Sequence, residues 1–511
     1  MWIATSDQSR AIDRRASDEF GIPAMVLMER AGLAIFQAVR EMLPNGGSIT
    51  VLCGRGNNGA DGFVVARLAR DHDFQVECLV ASTEENLGLD AAHQCKTSLV
   101  HGVQPIFCND ARWARRLEAL GSRDLIVDAL LGTGSRCELK EPILTAVRAI
   151  NRSGVPVIAV DVPSGIDCDT GEELGESVWA LRTITLGLPK PYLFQGTGLD
   201  HAGYWTVDEI GFPSSLLSEP TEAKLINQPW AGHLLPERMK NAHKGDSGGV
   251  LVIAGSDHYR GAAVLAAQGA LRAGAGLVTV AGIQSVCDAV AAHCPEAILL
   301  PLPEQDGHIA PAAAEIVLDL RKIRAAVFGP GLGSGEGIQE FLREVWSKWT
   351  LPCVVDADAL NVASLGIRLP ETECVLTPHP GELSRLLKLS IAEIQANRFC
   401  AMRQAVEQTH QCVLLKGPYS LVGTPGQPVL VNSTGNPGMA TGGMGDVLSG
   451  IIGTLLAQDL PAYYAAGLGM YWHGAAGDQC AKQIGPIGYS ARDLANALPS
   501  VRTTISQSCC A

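Results

Sequence analysis

Short runs of Val, Ile and Leu recur along this chain at helix-length intervals, and they do so in two separate series. Ser48 to Cys53, Phe74 to Val80, Leu125 to Leu130, Val155 to Val162 and Arg182 to Leu186 make the first. Gly249 to Ala254, Leu277 to Ala281, Ala325 to Phe328, Cys353 to Asp356, Cys374 to Thr377 and Cys412 to Lys416 make the second. Strands separated by helical segments predict βαβ units, hence mostly parallel sheets covered on both faces. Ser6 to Met42 reads as amphipathic helix broken at Pro23, and Gly261 to Ala273 as one of several Ala-rich helices. From Phe212 to Leu235 the periodicity lapses into Pro213-Ser214-Ser215, Glu219-Pro220 and Gln228-Pro229-Trp230, which marks a domain boundary. Two α/β domains are expected, at residues 1–218 and 226–511.

A net charge of -14 argues against nucleic acid or an acidic membrane surface as partner. Gly-rich loops still bind anions locally, through backbone dipoles. Fifteen scattered cysteines without a Cys-x-x-Cys pattern predict reduced, mostly buried thiols, with Cys509-Cys510 a frayed tail. The start of the chain lacks a basic segment followed by an apolar run, and no membrane-length apolar stretch occurs. A soluble cytoplasmic protein is expected.

Chemistry concentrates at the strand ends. Gly54, Gly56 and Gly59 satisfy Gly-x-Gly-x-x-Gly, but the acidic residue of a dinucleotide fingerprint has only Glu77, in mid-strand. Asn57, Asn58 and Asp61 instead suit a hard cation or a polar ligand. Asp128 before Gly132-Thr133-Gly134, and Asp161 before Val162-Pro163-Ser164-Gly165, point to the same crevice. Each Asp has an alternative role as a cap of the following turn.

In the second series Phe328 to Gly333, Asp356 to Asn361, Thr377 to Glu382 and Lys416-Gly417-Pro418 all follow strands. Lys416 suits a phosphate, and the flanking prolines fix the presentation of His379. Asn432 to Asp446 then forms a Gly-rich loop running into an apolar helix that begins near Asp446. Its amides suit phosphate oxygens. A carboxylate there repels phosphate, so Asp446 reads either as a helix N-cap or as a base for a nearby hydroxyl. A Walker-type Gly-Lys-Ser/Thr loop and a His-Glu-x-x-His zinc motif are both absent.

These motifs, in this order, resemble the bifunctional NAD(P)H-hydrate repair enzymes, an epimerase fused to a dehydratase. The resemblance implies a Rossmann-like three-layer N-terminal domain and a ribokinase-like three-layer C-terminal domain. It implies NADH or NADPH hydrated at ring C6 (NADHX, NADPHX) as substrate. R and S forms are interconverted, and the S form is dehydrated at the expense of ADP, giving AMP and phosphate. In the epimerase half it implies hydrate contacts at Asn57, Asn58, Gly59, Ala60, Asp61, Gly132, Thr133, Gly134, Ser135, Arg136, Cys137, Glu138 and Asp161. Asp161 is then the catalytic candidate, with potassium at Asn58, Asp128 and Ser164. In the dehydratase half it implies hydrate contacts at Ala262, Gly331, His379 and Asp446, with Asp446 the base. Nucleotide contacts fall at Lys416, Gly417, Pro418, Tyr419, Ser420 and Gly445, with magnesium accompanying ADP.

The implied partners are these small molecules and further copies of the chain, without nucleic acid or membrane. Two departures from the family pattern stand out. Ala60 replaces a glycine and would be strained at positive φ. Pro418-Tyr419-Ser420 replaces a commoner small-residue and Thr sequence. A ribokinase-like small-alcohol kinase with a non-catalytic ligand-binding N-terminal domain is the alternative reading.

Overall fold

The computed structural model describes residues 1–238, 240–241 and 248–507, so Cys509 and Cys510 lie outside the described residues. These fall into two compact units, 1–223 with 395–398, and 224–394 with 399–511.

In the first unit the described residues form a seven-stranded sheet. Its strands are β1 (Ser48–Cys53), β2 (Gln75–Val80), β3 (Pro105–Phe107), β4 (Leu125–Ala129), β5 (Val157–Val160), β6 (Arg182–Leu186) and β7 (Tyr204–Asp208). They are parallel and ordered β3-β2-β1-β4-β5-β6-β7. Alternation along each strand divides the core in two. Ile49, Val51, Cys53 and Val127 face a cluster with Ile35, Phe36, Phe63 and Ala66 of the helices Ala24–Met42 and Asn57–Asp71. Leu52 and Ile126 face the opposite cluster, with Trp113, Val147 and Ile150. Glu77 pairs with Arg116 and Arg123, so this acid is committed to the fold.

The second unit carries β8 (Gly249–Ile253), β9 (Leu277–Gly282), β10 (Ile298–Pro301), β11 (Ala325–Phe328), β12 (Cys353–Val355), β13 (Cys374–Leu376), β14 (Cys412–Leu415), β15 (Leu421–Gly423) and β16 (Val429–Val431). They are ordered β16-β15-β14-β13-β12-β11-β8-β9-β10. Pairing is parallel from β10 to β14, while β15 and β16 add antiparallel strands at the far side. The helix Arg260–Ala273 packs on the helix Met444–Ala457 through small residues. A Cβ on Gly450 would lie 2.1 Å from Ala266 O, and one on Gly269 would lie 2.3 Å from Val447 O. Only glycine permits that approach, which fixes the helix bearing Asp446 against its neighbour.

The predicted core strands reappear with ends shifted by at most two residues. Strands β3, β7, β10, β15 and β16 were not anticipated. β3, β7 and β10 have few fully buried side chains, and β15 and β16 are only three residues long, too short for a clear period. The described cysteines are free thiols and most are buried. Among the described residues no helix is long and apolar enough to cross a membrane.

Candidate active sites

In the first unit a cavity of about 460 Å³ opens at the carboxyl ends of β1, β4, β5 and β6. These strands are neighbours, so Asn57 and Asn58 after β1, Gly132 to Ser135 after β4, and Asp161 after β5 meet there. Close backbone packing fixes the loop that presents Asn57 and Asn58 to it. A Cβ on Gly54 would lie 1.8 Å from Leu130 O, and one on Gly59 would lie 2.0 Å from Gly54 O. Ala60 sits in the first turn of the helix Asn57–Asp71, donating its N–H to Gly56 O. Its φ is not positive, so the strain expected of an alanine there does not arise. Arg136, Cys137 and Glu138 are exposed and do not line the cavity. Arg136 instead donates to Ser6 Oγ at 2.6 Å and Asp169 Oδ2 at 3.0 Å.

Asp161 adopts a left-handed conformation, φ 65°, which a non-glycine residue keeps only when its surroundings hold it. Tyr192 donates its hydroxyl to Asp161 O at 2.7 Å, and Leu186 N–H donates to Asp161 Oδ1 at 2.9 Å. The buried Lys190 ammonium donates to the same carboxylate oxygen, to Thr185 Oγ1 and to Leu186 O. Asp61 lines the cavity from the helix Asn57–Asp71 and is 7% exposed. Burial first, then the nearby charges of Asp161 and Asp13, push its carboxyl well above the usual range.

Asn58, Asp128 and Ser164 converge on the backbone of Leu131. Asn58 Nδ2 donates to Leu131 O at 2.8 Å, and Leu131 N–H donates to Ser164 Oγ at 2.9 Å. Ser164 donates to both oxygens of Asp128, through its N–H at 2.8 Å and its hydroxyl at 2.6 Å. Asp128 is fully buried with neutral hydrogen-bond partners, and burial pushes it up to about 6. A fully buried carboxylate with hydrogen-bond donors but no cationic side chain, beside the Ser164 hydroxyl and the Asn58 amide, is a donor set that suits a cation.

In the second unit β11, β12, β13 and β14 are adjacent, so their carboxyl ends share one edge. Across that edge Lys416 donates to Asp356 Oδ1 at 2.8 Å, with Glu382 Oε2 at 3.6 Å. Burial alone would raise Asp356. The charge and hydrogen bond of Lys416, with Ser449 donating at 2.7 Å, outweigh it and hold this carboxyl low. Asp446 occupies the third position of the helix Met444–Ala457, capped by Gly443 at φ 88°, so it is not the N-cap. The first N–H groups of that helix have no carbonyl one turn back. Burial first, then the Asp356 charge, push Asp446 up to about 7, against a smaller downward pull from Lys416.

His379 caps the helix Pro380–Leu387, its Nδ1 accepting from Gly381 N–H at 3.0 Å. An accepting Nδ1 leaves the proton on Nε2, which faces Glu382 Oε1 at 3.3 Å. Burial lowers the His379 pKa despite Glu382 beside it. A Cβ on Gly445 would lie 3.4 Å from Lys416 Nζ, so this glycine borders the cation. Gly331, at φ 65°, borders Ala262 and Tyr259, where an added Cβ would lie within about 3.0 Å of both. In the 416–420 loop Tyr419 has φ 46°, and Ser420 donates its hydroxyl to Gly417 O at 3.0 Å.

Residues 250–500 match a family model described as NAD(P)H-hydrate dehydratase, and residues 24–192 match the YjeF-related protein N-terminus. The bifunctional NAD(P)H-hydrate repair enzyme Nnr of Coxiella burnetii is 39% identical over 506 residues, covering 98% of each chain. Its counterpart in Moorella thermoacetica is 36% identical over 517 residues, covering 99% of this chain and 98% of that one. The chain belongs to the bifunctional NAD(P)H-hydrate repair enzyme family.

A ribokinase-like superfamily protein of Enterococcus faecalis matches 57% of this repair-enzyme chain and 98% of its own, at 26% identity and a TM-score of 0.51. The Rossmann-like and ribokinase-like architectures expected of the repair-enzyme family are those observed. Sequence reasoning overlooked Asp13, Lys190, Ser449 and His473. Lys190 had a signal, since Pro189 and Pro191 flank it after a strand. Ser449 and His473 lie inside apolar helices, where nothing local marks them; His473 binds Met444 O at 2.9 Å and thereby braces the turn carrying Asp446.

Proposed function

We propose that residues 1–218 epimerise the R and S forms of NADHX and NADPHX, and that residues 226–511 dehydrate the S form with ADP, yielding AMP and phosphate. The observation that carries the dehydratase half is Asp446: a carboxyl raised to about 7, unsaturated by any cap, between open helix amides and Lys416. Hydroxide leaves poorly at neutral pH. Asp446 removes the proton of the C6 hydroxyl as its oxygen attacks the terminal phosphorus of the nucleotide. The amides of Gly442 to Gly445 and the Lys416 ammonium stabilise charge on the transferring group. Phosphate then departs with the C6–O electron pair, and loss of a ring C5 proton completes the double bond.

Lys416 to Ser420 and Gly445 take the nucleotide in this reading, and Ala262, Gly331 and His379 take the hydrate. Among the described residues no cluster of three His, Cys, Asp or Glu side chains would hold a metal, so magnesium is held through nucleotide phosphates and water. In the first unit Asn57 to Asp61, Gly132 to Ser135 and Asp161 serve the hydrate. Asn58, Asp128 and Ser164 would hold potassium, which would supply positive charge to the site. The enzyme works in the cytoplasm as a homo-oligomer.

The test supplies both epimers with ADP or ATP and follows recovery of dihydronicotinamide absorbance. Complete recovery from the mixture supports both activities. A stable phosphate ester without recovery would instead favour a small-alcohol kinase.

A further inference from the structure

Asp61 and Asp161 line one cavity but stand in opposite electrostatic settings. Asp161 receives the ammonium of Lys190, itself 1% exposed and bonded to three acceptors, together with Leu186 N–H and Thr185 Oγ1. The ammonium thus sets a positive charge directly against this carboxylate. Asp61 is nine-tenths buried, and among the described residues it has no hydrogen-bond or ion-pair partner. The charges acting on it are those of Asp161, Asp13 of the helix Ser6–Asp18 and Cys53 of β1; Arg10, Arg55 and Lys190 line the same cavity, but none of these cations is bonded to Asp61, and Lys190 is bonded to Asp161. Burial among such neighbours raises the Asp61 carboxyl and favours its protonated form. Two carboxyls in one cavity, one paired with a cation and one buried without a side-chain partner, divide into base and acid.

We infer that epimerisation is acid–base catalysis by this pair, with Asp61 giving the proton and Asp161, positioned by Lys190, accepting one. The assignment rests on the epimerase reading. Asp61 protonates the C6 hydroxyl, and the C6–O bond breaks with its electron pair leaving as water. The ring N1 lone pair forms the C6–N1 iminium, whose charge is balanced by the Asp61 carboxylate. Water adds to the opposite face of planar C6, and Asp161 takes the proton it releases. Exchange with solvent then returns one proton to Asp61 and removes one from Asp161.

The test measures epimer exchange in the full chain across pH, in water enriched in oxygen-18, for wild type, Asp61→Asn and Lys190→Met. Wild type should accelerate exchange with a bell-shaped pH profile and carry solvent oxygen into the C6 hydroxyl. Asp61→Asn should lose 100-fold or more and lack the alkaline limb; Lys190→Met should move the acid limb to higher pH. Near-ultraviolet circular dichroism reports the fold of each variant. If Asp61→Asn does not fold, the acid limb of Lys190→Met and oxygen incorporation by wild type decide the matter. Exchange within threefold of wild type in folded Asp61→Asn, an unmoved acid limb in Lys190→Met, or exchange without oxygen incorporation would overturn the assignment. Failure of wild type to accelerate exchange would remove the epimerase reading itself.

Discussion

The ammonium of Lys416 meets Asp356 Oδ1 at 2.8 Å, reaching across β13, which lies between the strands that carry them. This pairing commits the positive charge to Asp356 and leaves Asp446 only a weak share of it. A base poised near neutrality results, where a direct Lys416–Asp446 pair would have made a weak one.

Asp446→Asn should therefore lower dehydration by 10²–10⁴-fold, the usual range for losing a general base, while epimer exchange persists. Separate assays of the two steps check this. Equal loss of both in a folded protein would contradict independent sites.

The dehydration rate should rise with pH through about 7 as Asp446 loses its proton. Lys416 lowers this pKa, so Lys416→Met should shift the rise to higher pH besides weakening nucleotide binding. Rate profiles at saturating hydrate and nucleotide separate the two effects.

Stability should move the opposite way. Asp446 has a folded pKa above its unfolded value, so the folded state binds more protons between the two. Stability from this group is present below the carboxylate range and lost as pH rises toward about 7. Asp446→Asn should raise the melting temperature at pH 8 but not at pH 4, by the equivalent of about 1–2 kcal/mol after allowing for solvent screening.

Asp356→Ala leaves the Lys416 ammonium without its hydrogen-bonded carboxylate, with Glu382 at 3.6 Å and the Asp446 charge as remaining counterions, and should destabilise the protein by about 3 kcal/mol. Chemical denaturation measures it. The Gly443 and Gly445 substitutions should differ from each other. Gly443→Ala meets both φ 88° and Leu265 Cδ1 at 2.3 Å, and should cost stability; Gly445→Ala has neither problem and should weaken nucleotide use instead.

Potassium should raise the melting temperature of the first unit over an equal concentration of sodium, since a ligand of the folded state stabilises it. Asp128→Asn should remove the difference. A potassium effect that survives this substitution would place the ion elsewhere.

Much of the site was legible because backbone geometry obliges it to be. Long runs of Val and Ile define buried parallel strands, and ligands of such sheets gather at their carboxyl ends. Asn57, Asp128, Asp161, Asp356 and Lys416 could thus be placed at strand ends from local pattern alone. What pattern cannot supply is strand order and the environment it creates. The mid-strand position of Glu77 already spoke against a ribose ligand, but its partners Arg116 and Arg123 are set by strand order. Asp161 gave no hint of Lys190, 29 positions later, nor Asp356 of Ser449, 93 positions later.

The chain's sequence by itself determined two βαβ series, the glycines that allow close backbone approach, and the carboxylates available for chemistry. Only the tertiary structure decided which carboxyl is paired, which is capped and which is left buried without a partner. That division depends on desolvation and on charges a few ångströms away, and residues remote in sequence supply both.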